Sequence, residues 1–224
     1  MLRVATRADV AAIDALMKAS TRDNFPAFYD ERQTASSVIH IAHVDAMLVD
    51  DGTYFVLEAD SELVGCGGWS RRDKLFSGSA DQEGLARLLD PATEPARVRA
   101  MFVRGDWTRR GLGTRILRAC EAAARAEDFR MLSLMATLPG VPLYERFGFR
   151  VTHRVHITLP DGVQLEACSM EKAIDEAGVP AGSRAGYSGW RATSSTVIQS
   201  SAPSSLLSPA PSIPAGRRRA RSIA

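Results

Sequence analysis

No stretch of the 224 residues approaches the roughly 20 uninterrupted apolar residues that a membrane-spanning helix needs. The opening segment, with Arg3, Arg7, Asp9 and Asp14, lacks the apolar centre of a secretion signal. Cysteine is scarce and scattered: Cys66, Cys120 and Cys168 form no CxxC pair and no clustered Cys/His spacing. Neither a disulfide framework nor a metal site is therefore expected. Together these absences point to a reducing, cytoplasmic setting with no membrane partner. A strong charge bias is also missing, since the net charge is only +2. Residues 175–224 hold six arginines and two acidic residues, which leaves 22 basic and 24 acidic residues in 1–174. A slightly acidic body argues against nucleic-acid binding by that part of the chain.

What is present divides in two. Residues 1–174 alternate apolar periodicities with turn signals, whereas the last 50 residues hold 11 Ser, 5 Pro and 5 Gly and end in "GRRRARSIA". That composition predicts a disordered, solvated tail. In the body, "LRVA" (2–5) reads as a strand, and Thr6 can cap a helix striped by Val10, Ile13, Leu16 and Met17. Residues 26–47 read as a second, weaker helical region. "TYFVLEA" (53–59) and "LVGCGGWS" (63–70) flank "DSE" as an antiparallel hairpin. Residues 71–96 have no clean period beyond a short helix around Leu85–Leu89. A strand "RVRAMFV" (97–103) precedes a helix with Leu112, Ile116, Leu117 and Cys120 on one face. "RMLSLMA" (130–136) has the continuous apolar run of a strand covered on both sides. "PLYERF" (142–147) is a short helix that starts with Pro and stops at Gly148, and 149–159 with 163–172 form a closing hairpin around Pro-Asp-Gly. Hairpins mixed with strand–helix–strand units predict a mixed sheet.

The segment "GDWTRRGLGTRILRAC" (105–120) carries the first chemistry. It places a glycine-rich turn between a strand and the start of a helix. The first N–H groups of a helix have no partner within it, and the peptide dipoles make that end positive. The combination is an anion cradle suited to phosphate. Gly111 and Gly113 bare the backbone, and Arg109 and Arg110 add forked positive charge. There is no Gly-Lys-Ser/Thr of a Walker loop and no complete GxGxxG.

Strand, "RRGLG", helix, strand and "PLYERFGF" together resemble the GNAT superfamily of N-acetyltransferases, and the resemblance extends over residues 2–174. It implies an α/β (α+β) fold, a mixed and mainly antiparallel twisted sheet of about six or seven strands with helices on both faces. It implies acetyl-CoA as co-substrate, with Arg109, Arg110, Gly111, Leu112, Gly113 and Thr114 at the pyrophosphate. Met101, Phe102 and Val103 would pair along the pantetheine arm, and Tyr144 would protonate the departing thiolate. The sequence departs from the family pattern at Thr108, where Gln or Arg is usual, and at Thr137 and Leu138, where Asn is frequent.

The implied partner is a small-molecule or peptide amine, and a homodimer is compatible with the reading. An N–H near Val103 is the candidate oxyanion donor. No general base is assigned. His153 and His156 are three apart on a strand and face opposite sides, Glu58 lies on the first hairpin, and His40 and His43 sit in the weaker helical region. Cys120 falls on an apolar helix face as a core residue, and Trp69 and Trp107 read as packing residues, with pocket lining as the alternative. Two other functions stay open on sequence alone: a non-catalytic CoA-binding regulatory module, and nucleic-acid binding through the basic tail.

Overall fold

The computed structural model describes residues 1–73 and 87–174. The expectation for the 175–224 tail lies outside the described residues. In chain order the elements are β1 (Leu2–Val4), α1 (Val10–Asn24), α2 (Glu31–His40), α3 (Ala46–Asp50), β2 (Tyr54–Ala59), β3 (Glu62–Ser70), β4 (Ala96–Val103), α4 (Leu112–Ala126), β5 (Met131–Thr137), α5 (Val141–Phe147), β6 (Arg150–Thr158) and β7 (Gln164–Ala173). The strands form one seven-stranded sheet in the order β1-β2-β3-β4-β5-β7-β6. Every neighbouring pair is antiparallel except β4 with β5. This is the mixed, mainly antiparallel sheet expected.

Local chemistry explains most of the boundaries. Asp30 caps α2 by accepting from the Gln33 N–H at 2.7 Å, while the Gln33 side chain accepts from the Asp30 N–H at 3.0 Å. The β2–β3 hairpin turns on two residues, Asp60 (φ 50°) and Ser61 (φ 65°), instead of the three-residue "DSE". Two successive left-handed residues match the right-handed twist of the flanking strands. Residues 87–89 are not helical: Leu88 makes a lone antiparallel bridge to Arg72, and the rest of that expected helix lies outside the described residues.

The core lies on both faces of the sheet. On one face α4 buries Ile116, Leu117, Cys120 and Ala124 against Leu57, Val98, Leu132 and Leu134. On the other, α1 buries Ile13, Leu16 and Met17 with Tyr54, Val56 and Cys66. Val56 and Leu57 are successive residues of β2 and enter different clusters, as the alternation of a strand requires. Among the described residues no helix is long and apolar enough to cross a membrane.

The sheet is split where β4 meets β5. Their parallel pairing covers only Ala96↔Leu132 and Arg97↔Ser133. Beyond that point β4 stays with β3 up to Val103, while all of β5 stays with β7. A bulge marks the departure. Cys66 faces Phe102 and Gly68 faces Arg99, so three steps along β4 oppose two along β3. Ala100 takes the left-handed conformation at φ 53°, which costs an alanine roughly 1–2 kcal/mol. The surroundings hold the bulge in place. The buried Tyr54 hydroxyl donates to the Ala100 carbonyl at 2.8 Å. A Cβ at Gly67 would lie 2.2 Å from Met101 Sδ, and one at Gly68 2.6 Å from the Thr53 carbonyl. Bulges of this kind bend a strand and sharpen its twist, and here β4 turns away from β5.

Candidate active site

The gap between the ends of β4 and β5 opens into a cavity of about 850 Å³. One wall is the end of β4, the first turn of α4, the end of β5 and α5. The facing wall is the C-terminal turn of α1, the loop after it, and residues 157–160.

The first wall is built by the arginine–glycine turn. After β4, Gly105–Trp107 form a single 3-10 turn, and Arg109 (φ 59°) and Gly111 (φ 79°) reverse the chain into α4. Gly111 is the cap residue and offers no side-chain acceptor. Its carbonyl already accepts the Arg115 N–H at 3.0 Å, so the N–H groups of Leu112, Gly113 and Thr114 belong to the unpartnered first turn. The space around Gly111 is open, and its left-handed φ accounts for the glycine. Gly113 has a different reason. It is buried, and a Cβ there would lie 2.6 Å from Leu143 Cδ2, so its missing side chain gives room to α5.

Nine of the ten residues expected at the site border this cavity: Met101, Phe102, Val103, Arg109, Gly111, Leu112, Gly113, Thr114 and Tyr144. Arg110 is the exception. Its guanidinium lies 4.6 Å from the centroid of the Trp107 ring, which Arg104 also approaches at 5.8 Å. Trp107 itself borders the cavity, so its indole links the arginines to the wall.

Tyr144 projects from α5 into the core edge of the cavity. Its ring is buried and meets Phe149 edge-on at 5.8 Å. Gly140 lies one helical turn earlier, and a Cβ there would sit 2.7 Å from Tyr144 Cε2. Burial, with a smaller contribution from Cys120, pushes the phenol well above its ordinary value. The group therefore carries its proton throughout the neutral range. Cys120 is fully buried and desolvation raises its thiol strongly, which fits a core residue. Burial likewise pushes the Cys66 thiol up to about 12.

The sequence gives little notice of the second wall. Ser20 Oγ donates to the Val103 carbonyl at 2.7 Å, and Asn24 Nδ2 reaches the same oxygen at 3.3 Å. Asn24 also donates to the Ser20 carbonyl at 2.9 Å and to its hydroxyl at 3.2 Å. These residues are four apart on α1 and share a face, a spacing visible in the sequence. Tyr29 ties the loop after α1 to the far strands. Its hydroxyl donates to the Glu166 carbonyl at 2.7 Å and accepts the Leu138 N–H at 2.9 Å. Burial pushes that phenol up to about 12.

None of the weighed bases borders the cavity. Glu58 is held by Arg3 at 2.5 Å, next to the edge strand β1. His153 and His156 are exposed on the opposite edge strand, β6. His40 Nε2 lies 3.7 Å from Asp161 Oδ2. Among the described residues no group of three or more His, Cys, Asp or Glu side chains is placed to hold a metal ion.

Known proteins share this architecture. The family model of the acetyltransferase (GNAT) family matches residues 13–149. Among curated proteins, none matches the chain by sequence. Three solved structures are similar. A GCN5-related N-acetyltransferase from Rhodopseudomonas palustris is 19% identical with a TM-score of 0.60, over 77% of this chain and 94% of that one. The PaiA N-acetyltransferase from Thermoplasma acidophilum, in complex with coenzyme A, is 14% identical with a TM-score of 0.52, over 77% and 98%. YncA from Salmonella typhimurium, with its cofactor acetyl-CoA, is 17% identical with a TM-score of 0.52, over 82% and 98%. With the family model covering more than half of its length, the chain belongs to the GNAT acetyltransferase family and is an acyltransferase.

Proposed function

We propose that the cavity takes acetyl-CoA and that the enzyme moves the acetyl group to an amine by direct attack. One juxtaposition carries this reading: the uncapped start of α4, the diverging end of β4 and the protonated Tyr144 phenol border a single cavity. The residues present fit the co-substrate. The backbone of Gly111–Thr114 with Arg109 would hold the pyrophosphate, and Arg110 would add positive potential from its seat on Trp107. Met101, Phe102 and Val103 would flank the pantetheine arm. That two structural neighbours carry coenzyme A or acetyl-CoA supports the assignment.

Acetyl-CoA supplies the acetyl group as a thioester. Transfer forms a C–N bond from the neutral amine to the carbonyl carbon and breaks the C–S bond. The amine gives up a proton to solvent, and the sulfur takes one from Tyr144, which recovers it from solvent. A positioned acid of this kind contributes roughly 10²–10⁴-fold. A backbone N–H near Val103 would steady the charge that builds on the carbonyl oxygen. Ser20 and Asn24 fix that strand end through the Val103 carbonyl. The acceptor is an amine of a small molecule or peptide.

The test is calorimetric titration with acetyl-CoA, followed by free-thiol release across a panel of amines and peptides. Binding, with thiol release for at least one acceptor, is expected. Binding without release for any acceptor would reduce the protein to a coenzyme-binding module.

A further inference from the structure

We infer that the second wall is an acceptor subsite for a small primary amine on an apolar or aromatic body, with Asp23 taking the ammonium and the body lying against Phe25 and Phe28. The inference rests on the acetyl-transfer reading above and narrows its acceptor.

Charge comes first. Asp23 borders the cavity and has no ion-pair partner among the described residues. It is the only carboxylate among the described residues that line the cavity, and the α1 side and residues 157–160 contribute no Lys or Arg to that wall. The wall therefore attracts a cation, whereas the arginines that line the cavity, Arg99, Arg109 and Arg146, stand on β4, the glycine turn and α5. The position suits the chemistry. Asn24, the next residue, reaches the Val103 carbonyl at the end of β4. The Asp23 carboxylate lies against Gly105, two residues past Val103, so closely that a Cβ on Gly105 would fall 2.6 Å from Oδ2. An amine held as its ammonium by Asp23 is thus delivered beside the strand end where the acyl group is proposed to sit, and it gives one proton to solvent before it attacks as the neutral amine.

Shape comes second. Phe25 is buried and its ring centroid lies 5.3 Å from that of Tyr29, which is fixed by its two hydrogen bonds to Glu166 and Leu138. Phe25, Tyr29 and Leu159 form one cluster with Ile41 and Ile157 packed against it, and Ile41, Ile157 and Leu159 border the cavity. Phe28 borders the same cavity and is 47% exposed, so an uncovered aromatic ring adjoins this fixed apolar wall. A polyamine would leave this surface wet, and an amino acid would bring its carboxylate against Asp23.

The test uses the full chain with phenethylamine, phenylalanine and spermidine, read by thiol release and by calorimetric binding of phenethylamine to the CoA-loaded protein. Phenethylamine is expected to exceed both others in kcat/KM by roughly tenfold or more. Asp23→Asn should raise its KM roughly fivefold and Phe28→Ala roughly tenfold, with the KM for acetyl-CoA unchanged in both variants. A preference for phenylalanine or spermidine, or an unchanged phenethylamine KM in both variants, overturns the acceptor assignment alone. Absence of thiol release with every amine overturns the acetyl-transfer reading as well.

Discussion

The hydroxyl of Ser20 donates to the carbonyl of Val103 at 2.7 Å, across 83 residues of sequence. The bond joins the last turns of α1 to the last residue of β4, where the strand has left its neighbour β5 and pairs only with β3. A diverging strand end needs an anchor if its backbone is to present groups to a reacting thioester. Ser20 and Asn24 are that anchor.

Removing it should affect turnover more than cofactor binding. Ser20→Ala is expected to lower stability by about 1 kcal/mol, the net worth of one hydrogen bond. It should lower kcat severalfold while the Kd for acetyl-CoA stays unchanged. Thermal denaturation and calorimetry, paired with steady-state rates, check this. An unchanged kcat would remove the anchor from the account.

The β4 bulge makes a prediction about stability. Gly68 faces backbone atoms, the Thr53 carbonyl and the Tyr54 Cα, and neither can move out of the way as a side-chain end could. Gly68→Ala should therefore destabilise the fold by about 1–3 kcal/mol, read from the midpoint of urea unfolding. Gly67→Ala meets first the flexible end of Met101 and should cost less.

The buried phenol makes a prediction about pH. Burial raises the Tyr144 pKa, so the acid form persists up to and beyond the ordinary value of 10 and is lost only above it. For an alkylamine acceptor, neutral in roughly one molecule in 2,500 at pH 7, kcat/KM should climb about tenfold per pH unit as the amine loses its proton. No falling limb should appear below about pH 10. A Tyr144-dependent decline between pH 8 and 9 would contradict the protonated-phenol account.

Local signals in the sequence are enough for most of the elements, though not for the hairpin turn or the segment at 87–89. Apolar stripes marked α1 and α4, a continuous apolar run marked β5, and "RRGLG" and "PLYERFGF" marked the two motifs that meet at the cavity. What the sequence concealed depends on pairing at long range. Ala100 carries no mark of its left-handed backbone, because an alanine enters it only when Tyr54, Gly67 and Gly68 are brought around it. Arg110 looked equivalent to Arg109 until Trp107 drew it into a stack. Gly113 is bare for Leu143, a helix contact from 30 residues on. The facing wall stayed hidden because Ser20, Asp23, Asn24 and Tyr29 are ordinary polar residues until the sheet places them opposite β4.

The most direct measurement is turnover of wild type and Tyr144→Phe side by side, with acetyl-CoA affinity determined on both. The substitution removes one hydroxyl and keeps the ring that packs on Phe149. The account predicts an unchanged Kd for acetyl-CoA and a kcat lower by roughly 10²-fold or more. Equal kcat values in the two proteins would contradict it.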